Sequence, residues 1–190
     1  MEKRRNRNNS GKGGLNTMKE FNYTGTCVPE KHYMVDTTNK INEMINLIEK
    51  GRYFTINRPR QYGKTTSIAL IERKLKDKLL IIKISFQGKE AECFSSVENI
   101  AIMFLESINI YFRKTNQERY VIEYSDVNSF MKLSELISKF VNEVNKKVVL
   151  FIDEVDESTN YETFSKFLGM LRDKYLKRNE GEDSTFHSIV

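Results

Sequence analysis

The sequence predicts an α/β domain in which helices cover the faces of a parallel β-sheet. Two strongly apolar runs, Leu79–Phe86 and Val148–Ile152, have the length and the β-branched content of buried strands. Segments with apolar residues at helical spacing separate these runs from each other and from the ends of the chain. Strands that alternate with helices indicate βαβ units and therefore a parallel sheet in a three-layer arrangement.

The chain begins with a basic segment that is unlike the rest. Residues 1–20 are polar, rich in Gly and Asn, and without an apolar period, so we interpret them as a disordered tail. They contain six Lys and Arg against two Glu and thus carry most of the net charge of +5. The remaining residues, 21–190, are nearly neutral and are assigned to one domain.

The first half of the domain contains two predicted helices and a predicted strand. Asp36 and Thr37 are suitable caps for a helix whose apolar residues recur at helical spacing and which Gly51 ends. The short β-rich run Tyr53–Asn57 predicts a strand, and a second helix is expected from Lys64 to about residue 78. In the second half, the predicted elements are strand Leu79–Phe86, helices Phe94–Phe112 and Ser129–Asn145, strand Val148–Ile152, helix Tyr161–Lys177 and a strand beginning in Thr185–Val190.

The loop between the predicted strand 53–57 and the following helix contains a phosphate-binding pattern. The N–H groups at the start of a helix have no partner within the helix and favour an anion. Gly63 permits the turn into the helix, Lys64 is placed to reach the β- and γ-phosphates, and the Thr65 hydroxyl is placed to bind Mg²⁺. The predicted nucleotide-binding residues are Arg60, Gln61, Tyr62, Gly63, Lys64, Thr65 and Thr66.

The loop departs from the usual pattern G-x-x-x-x-G-K-[ST] at one position. Arg58 stands where the first glycine is expected. Arg58 and Arg60 either contact phosphate directly or are simply solvated, and the sequence leaves both alternatives open.

Two acids follow the apolar run 148–152, at the edge where ligands bind in parallel sheets. Asp153 is predicted to hold Mg²⁺ through water beside Thr65, and Glu154 to act as the general base toward the attacking water. The alternative is a core strand that ends in a solvated acidic turn, since Asp156 and Glu157 follow. A small GTPase would have glycine at position 156 and an Asn-Lys-x-Asp motif, so ATP is the predicted nucleotide.

At this point the chain resembles the AAA-ATPase-like domain family of P-loop ATPases, from about Phe21 to Val190. The segments that carry the resemblance, including the Walker A and Walker B positions, are Tyr23–Cys27, His32–Asp36, Tyr53–Thr66, Ser85–Gly88 and Asp153-Glu154. In that family an Arg-Pro-Arg loop without the first glycine is usual, so Arg58 becomes an argument for membership.

The resemblance implies a P-loop fold of the additional-strand type with sheet order 5-1-4-3-2, often linked to a PD-(D/E)XK nuclease-like domain further along the chain. On that scheme residues 185–190 begin the fourth strand, between the first and the third. We therefore expect a fold that is incomplete at its carboxyl end, the N-terminal part of a longer domain.

The resulting functional prediction is a Mg²⁺-dependent ATP-binding module that hydrolyses ATP in its complete form, with a homo-oligomer or protein partner. The first alternative is a non-catalytic nucleotide-binding or interaction fragment of a longer ATPase-nuclease-like protein. A second alternative is nucleic-acid binding through the basic arm Met1–Lys19. Two cysteines make no disulfide framework, and no apolar run approaches the length of a membrane span, so a cytoplasmic location is expected.

Overall fold

The architecture is taken from a computed structural model of the full chain. It describes residues 20–21, 31–33, 37–57, 63–155 and 161–190. The chain divides into two compact units, residues 1–36 and residues 37–190. The predicted tail lies outside the described residues apart from Glu20.

In the first unit, the described residues form one small contact. Glu20 and His32 make an isolated parallel β-bridge, in which the Glu20 N–H donates to the Lys31 carbonyl at 2.9 Å. The Tyr33 N–H returns a bond to the Glu20 carbonyl at 3.0 Å. The rings of Phe21 and Tyr33 lie 5.0 Å apart, so aromatic contact accompanies the bridge.

The second unit is a mixed α/β fold around a three-stranded parallel sheet, which confirms the predicted class. Its strands are β1 (Leu80–Ser85), β2 (Val148–Asp153) and β3 (Ser188–Ile189), with β2 in the centre. Leu80 is in register with Val148, and the pairing continues to Ser85 beside Asp153. The order β1-β2-β3 is compatible with strands two, three and four of the implied 5-1-4-3-2 sheet, whose complete order stays a prediction.

The predicted strand Tyr53–Asn57 is wrong, because these residues form no strand in the structure. The Phe54 N–H donates to the Ile189 carbonyl at 3.1 Å, as a ladder beside β3 would require. However, β3 contributes only two residues, and the Arg52 carbonyl accepts from the Ser188 hydroxyl at 2.6 Å rather than from a backbone N–H. One backbone bond and one side-chain bond therefore replace the expected ladder.

The helices occur where apolar residues recur at helical spacing, with small shifts at their ends. They are α1 (Thr38–Glu49), α2 (Lys64–Leu75), α3 (Val97–Lys114), α4 (Phe130–Glu143) and α5 (Glu162–Glu180), with short 3₁₀ turns at Ala91–Phe94 and Glu118–Tyr120. The predicted start of α3 at Phe94 is wrong, because the Ser96 hydroxyl accepts from the Asn99 N–H at 3.1 Å and caps the helix there. Within the described ranges, no helix is both long and apolar enough to cross a bilayer.

Successive residues of β1 and β2 point to opposite faces and so build two separate cores. The face toward α1 and α2 carries the smaller cluster: Ile41, Met44, Ile48, Ile71, Leu75, Leu79, Ile81, Val149 and Phe151. The opposite face carries the larger cluster, which gathers side chains from α3, α4 and α5 around Ile82, Ile84 and Leu150. The sheet is therefore the middle of three layers, and Asp153, the last residue of β2, lies at its carboxyl edge with Glu154 directly after it.

Candidate functional site

A cavity of about 190 Å³ lies at the carboxyl edge of the sheet. Its charged lining residues are Lys64 at the start of α2, and Asp153 and Glu154 at the end of β2. Its walls are otherwise mostly apolar and comprise Phe54, Thr55, Ile56, Ile68, Ile152, Val155, Leu168, Ile189 and Val190. The cavity thus brings together charged residues that are 89 positions apart in the sequence, counted from Lys64 to Asp153.

The amino end of α2 forms one side of this site. Gly63 has a left-handed φ of 74°, which a glycine adopts without steric cost, and it directs the chain into the helix. The Gly63 carbonyl accepts from the Ser67 N–H at 2.8 Å and closes the first turn. In the described part of the chain, no side chain caps this helix and no acid lies in its first turn. The end of α2 therefore suits an anion supplied from outside.

Lys64 is the first residue of α2, and its half-buried side chain contributes to the cavity lining. Thr65 is exposed on the first turn, outside that lining, and Thr66 is half-buried. The predicted loop residues Arg60, Gln61 and Tyr62 lie outside the described residues, as does Arg58.

The opposite side of the site is an abrupt turn at the end of β2. The Phe86 N–H donates to the Asp153 carbonyl at 3.1 Å and fixes the last residue of the strand beside β1. Glu154 then adopts a left-handed φ of 55°, which costs a residue with a side chain about 1–2 kcal/mol. Its N–H donates to the Asp153 carboxylate at 2.9 Å, which partly offsets that cost and orients the carboxylate.

The charges fit a magnesium ion only if other ligands complete its coordination. Among the described residues, no group of three or more His, Cys, Asp or Glu side chains is arranged to hold a metal. Mg²⁺ usually takes one or two carboxylates and obtains its remaining ligands from water and phosphate oxygens. The Asp153 carboxylate meets that requirement, so the donor set fits a phosphate-bound ion rather than a metal held by protein alone.

The apolar walls are the part of the site that sequence reasoning missed. Phe54 and Ile56 alternate with polar residues, which would have placed both side chains on one side of the segment. Leu168 comes from α5, and only the packing of that helix brings it to the cavity. Apolar walls exclude water and thereby strengthen the interactions between the charges.

Comparison with known proteins gives one family. A family model described as an AAA-like domain matches residues 28–187. No curated protein matches the chain, and no solved structure does. The matched range includes the start of α2, the whole of β2 and the cavity residues except Ile189 and Val190.

Proposed function

The chain belongs to the AAA-like domain family, and from this premise we propose that it is a Mg²⁺-dependent ATP-binding module that hydrolyses ATP. The observation that carries the proposal is the shared cavity, where Lys64 from α2 lies with Asp153 and Glu154 from β2. One cation and two carboxylates beside an uncapped helix start are the groups that a metal-bound triphosphate requires.

In this proposal the phosphates lie against the amino end of α2. The N–H groups of its first turn bind the phosphate oxygens, with Gly63 giving the backbone room to approach. Arg60, Gln61 and Tyr62, which lie outside the described residues, stay predicted contacts of the nucleotide. The Lys64 ammonium neutralises charge on the β- and γ-phosphates. Thr66 contributes its backbone N–H to the same anion site.

The Thr65 hydroxyl and the Asp153 carboxylate are the groups that would hold Mg²⁺. When bound, the ion neutralises charge that builds up on the phosphate oxygens. The hydrogen bond from the Glu154 N–H holds the Asp153 carboxylate in one orientation. Glu154 lies next to it on the cavity wall and accepts the proton of the attacking water as general base.

The first test is thermal unfolding with and without Mg²⁺-ATP. A ligand that binds only the native state raises the melting temperature as its concentration rises. We expect that rise in the wild type and none in Lys64→Ala. Lys76→Ala, which removes an exposed lysine at the other end of α2, serves as the matched control and should keep the full rise. Equal responses in the two variants would refute the role of Lys64.

Turnover separates hydrolysis from binding alone. Glu154→Gln keeps the size and hydrogen-bonding capacity of the side chain but removes the base, so binding should remain and phosphate release should stop. Undiminished phosphate release would remove Glu154 from its role. Binding without release in the wild type would instead establish the non-catalytic nucleotide-binding alternative.

A further inference from the structure

Arg178, in the last turn of α5, uses its guanidinium to join two distant parts of the chain. Nη1 donates to the Phe186 carbonyl at 2.7 Å and to the His187 carbonyl at 2.6 Å, just before β3. Nη2 donates to the Gly51 carbonyl at 2.7 Å, just after α1. All three acceptors are neutral backbone carbonyls. Because the guanidinium is charged, each bond is charge-assisted and is stronger than a hydrogen bond between neutral groups.

Two aromatic rings hold the guanidinium in this position. Its central carbon lies 5.5 Å from the centre of the Tyr53 ring and 5.0 Å from the centre of the Tyr175 ring. The two rings lie 4.4 Å apart. The Tyr53 hydroxyl also donates to the Phe186 carbonyl at 3.0 Å, and burial raises the pKa of that hydroxyl to about 12. Arg178 and Tyr53 therefore both donate a hydrogen bond to the Phe186 carbonyl.

This cluster matters because it determines where residues 52–57 lie. Phe54, Thr55 and Ile56 in that segment line the cavity together with Lys64, the first residue of α2. Among the described residues, one backbone bond joins this segment to β3, from the Phe54 N–H to the Ile189 carbonyl. A segment with so little ladder bonding depends on side chains for its position.

The close approach of the two chain parts also requires Gly51. Gly51 has a φ of 67°, and a Cβ at this residue would lie 3.1 Å from the His187 carbonyl oxygen. The missing side chain lets the two backbones come near enough for one guanidinium to reach the Gly51 and His187 carbonyls.

We propose that Arg178 is a positioning residue for the nucleotide site: it fixes the segment 52–57, and with it the cavity wall formed by Phe54, Thr55 and Ile56, beside the amino end of β3. The proposal rests on the proposed ATP-binding function. It makes α5, which touches the cavity only through Leu168, a determinant of nucleotide affinity.

The test compares Arg178→Met with a matched variant on the same helix. Lys174 lies one turn earlier on α5, and its buried ammonium binds Asp183 in the α5–β3 connection. Among the described residues, this ammonium makes no hydrogen bond to residues 49–57, so Lys174→Met removes a buried cation without a direct effect on that segment. Two quantities are measured at a temperature where both variants are folded: the dissociation constant for Mg²⁺-ATP, and the rate of hydrogen exchange at the Phe54 amide.

We expect Arg178→Met to weaken Mg²⁺-ATP binding about tenfold or more, because small displacements of a positioned group have large effects. Exchange at the Phe54 amide should accelerate in the same variant, since its bond to the Ile189 carbonyl loses its support. Lys174→Met should change neither quantity beyond its effect on global stability. Arg178→Lys keeps the charge but cannot span all three carbonyls, so its affinity should lie between those of the wild type and Arg178→Met.

Three results would overturn the proposal. Arg178→Met and Lys174→Met could lose affinity only in proportion to their loss of stability, which would make Arg178 a structural residue alone. Arg178→Met could bind Mg²⁺-ATP as tightly as the wild type, which refutes positioning and leaves the proposed function intact. A wild type that fails to bind Mg²⁺-ATP refutes the proposed function itself, and the positioning role with it. If Arg178→Met does not fold, Arg178→Lys replaces it against the same control.

Discussion

The buried ion pair between Lys174 and Asp183 offers a sharp test of how this fold is held together. The Lys174 side chain is 2% exposed and the Asp183 side chain 22%, and their charged atoms lie 2.7 Å apart. The Lys174 ammonium also donates to the Ser134 hydroxyl at 2.9 Å and to the Ser138 hydroxyl at 2.6 Å. Asp183 in turn accepts from the Ser138 hydroxyl and from the Ser184 N–H, at 2.8 and 2.7 Å.

The two partners differ in exposure, so removing each should cost a different amount. Asp183→Asn leaves an almost fully buried ammonium without its counter-ion, which typically costs about 3–5 kcal/mol of unfolding free energy. Lys174→Met removes the charge and keeps a long apolar side chain in a buried position. It leaves Asp183 with two hydrogen bonds and access to water, so the expected cost is only about 1–3 kcal/mol.

The pH dependence follows from the Asp183 carboxyl. Burial alone would raise its pKa, but hydrogen bonds from Lys174 and Ser138 outweigh burial and hold the pKa below its ordinary value of 3.8. The unfolded chain therefore binds more protons than the native state in this range. The stabilisation is fully present above the ordinary pKa and is lost as pH falls through the lower pKa of the folded state.

Equilibrium unfolding in urea measures these differences, provided that the dependence on denaturant stays the same among variants. We expect Asp183→Asn to be less stable than Lys174→Met at pH 7, and to lose less further stability than the wild type on acidification. The reverse order of the two variants would show that the ammonium is hydrated or relocated and that burial does not set the cost. An unchanged acid slope in Asp183→Asn would assign that slope to other carboxylates.

Three further predictions concern positions where the backbone is strained or is bonded by a buried side chain. Gly51→Ala should lower stability by about 1–2 kcal/mol, because its left-handed φ disfavours a Cβ and the His187 carbonyl would have to shift to admit one. Gly169→Ala, in open space on α5, should instead raise stability by up to about 1 kcal/mol, measured by urea unfolding. The buried side-chain amide of Asn109 accepts from the Ile122 N–H at 2.8 Å and donates to the Ile122 carbonyl at 2.9 Å. Asn109→Leu should therefore lower stability by about 2 kcal/mol or more in the same assay. An unchanged stability would mean that water replaces the amide as the partner of Ile122. Glu154→Gly should raise the melting temperature without ligand, because glycine accepts a φ of 55°, and a lower melting temperature would contradict the strain assigned to this turn.

The buried strands were the most predictable part of the fold. The run at 148–152 is continuously apolar, and Lys83 and Ser85 are the polar residues in the run at 79–86. Such runs are typical of strands covered on both faces, and β1 and β2 lie there. Tyr53–Asn57 has a similar β-rich composition but no ladder, because the neighbouring strand β3 is only two residues long. Composition reports the preference of a segment, whereas a strand also needs a partner of sufficient length.

The sequence predicted those site residues whose position follows from the end of a strand or the start of a helix. Lys64 opens a helix after a loop and Asp153 ends a strand, so both were expected at one edge of the sheet, and both line one cavity. The roles of these residues stay predictions. Nothing local indicated Arg178, because its three carbonyl partners lie on segments brought together only by folding. Side chains that bind distant backbone leave no periodic signal in the sequence.

The unequal size of the two cores has a consequence for how the molecule opens. Among the residues that the structure describes, the smaller cluster has nine buried members and the larger cluster 24. The α1–α2 layer should therefore detach as a sub-global unit at a lower free energy than the rest. A nucleotide bound as proposed would connect the start of α2 to the end of β2 and oppose that opening. The bound nucleotide would then raise the free energy of opening of the α1–α2 layer. The resistance of this layer to proteases would therefore rise and fall with nucleotide occupancy.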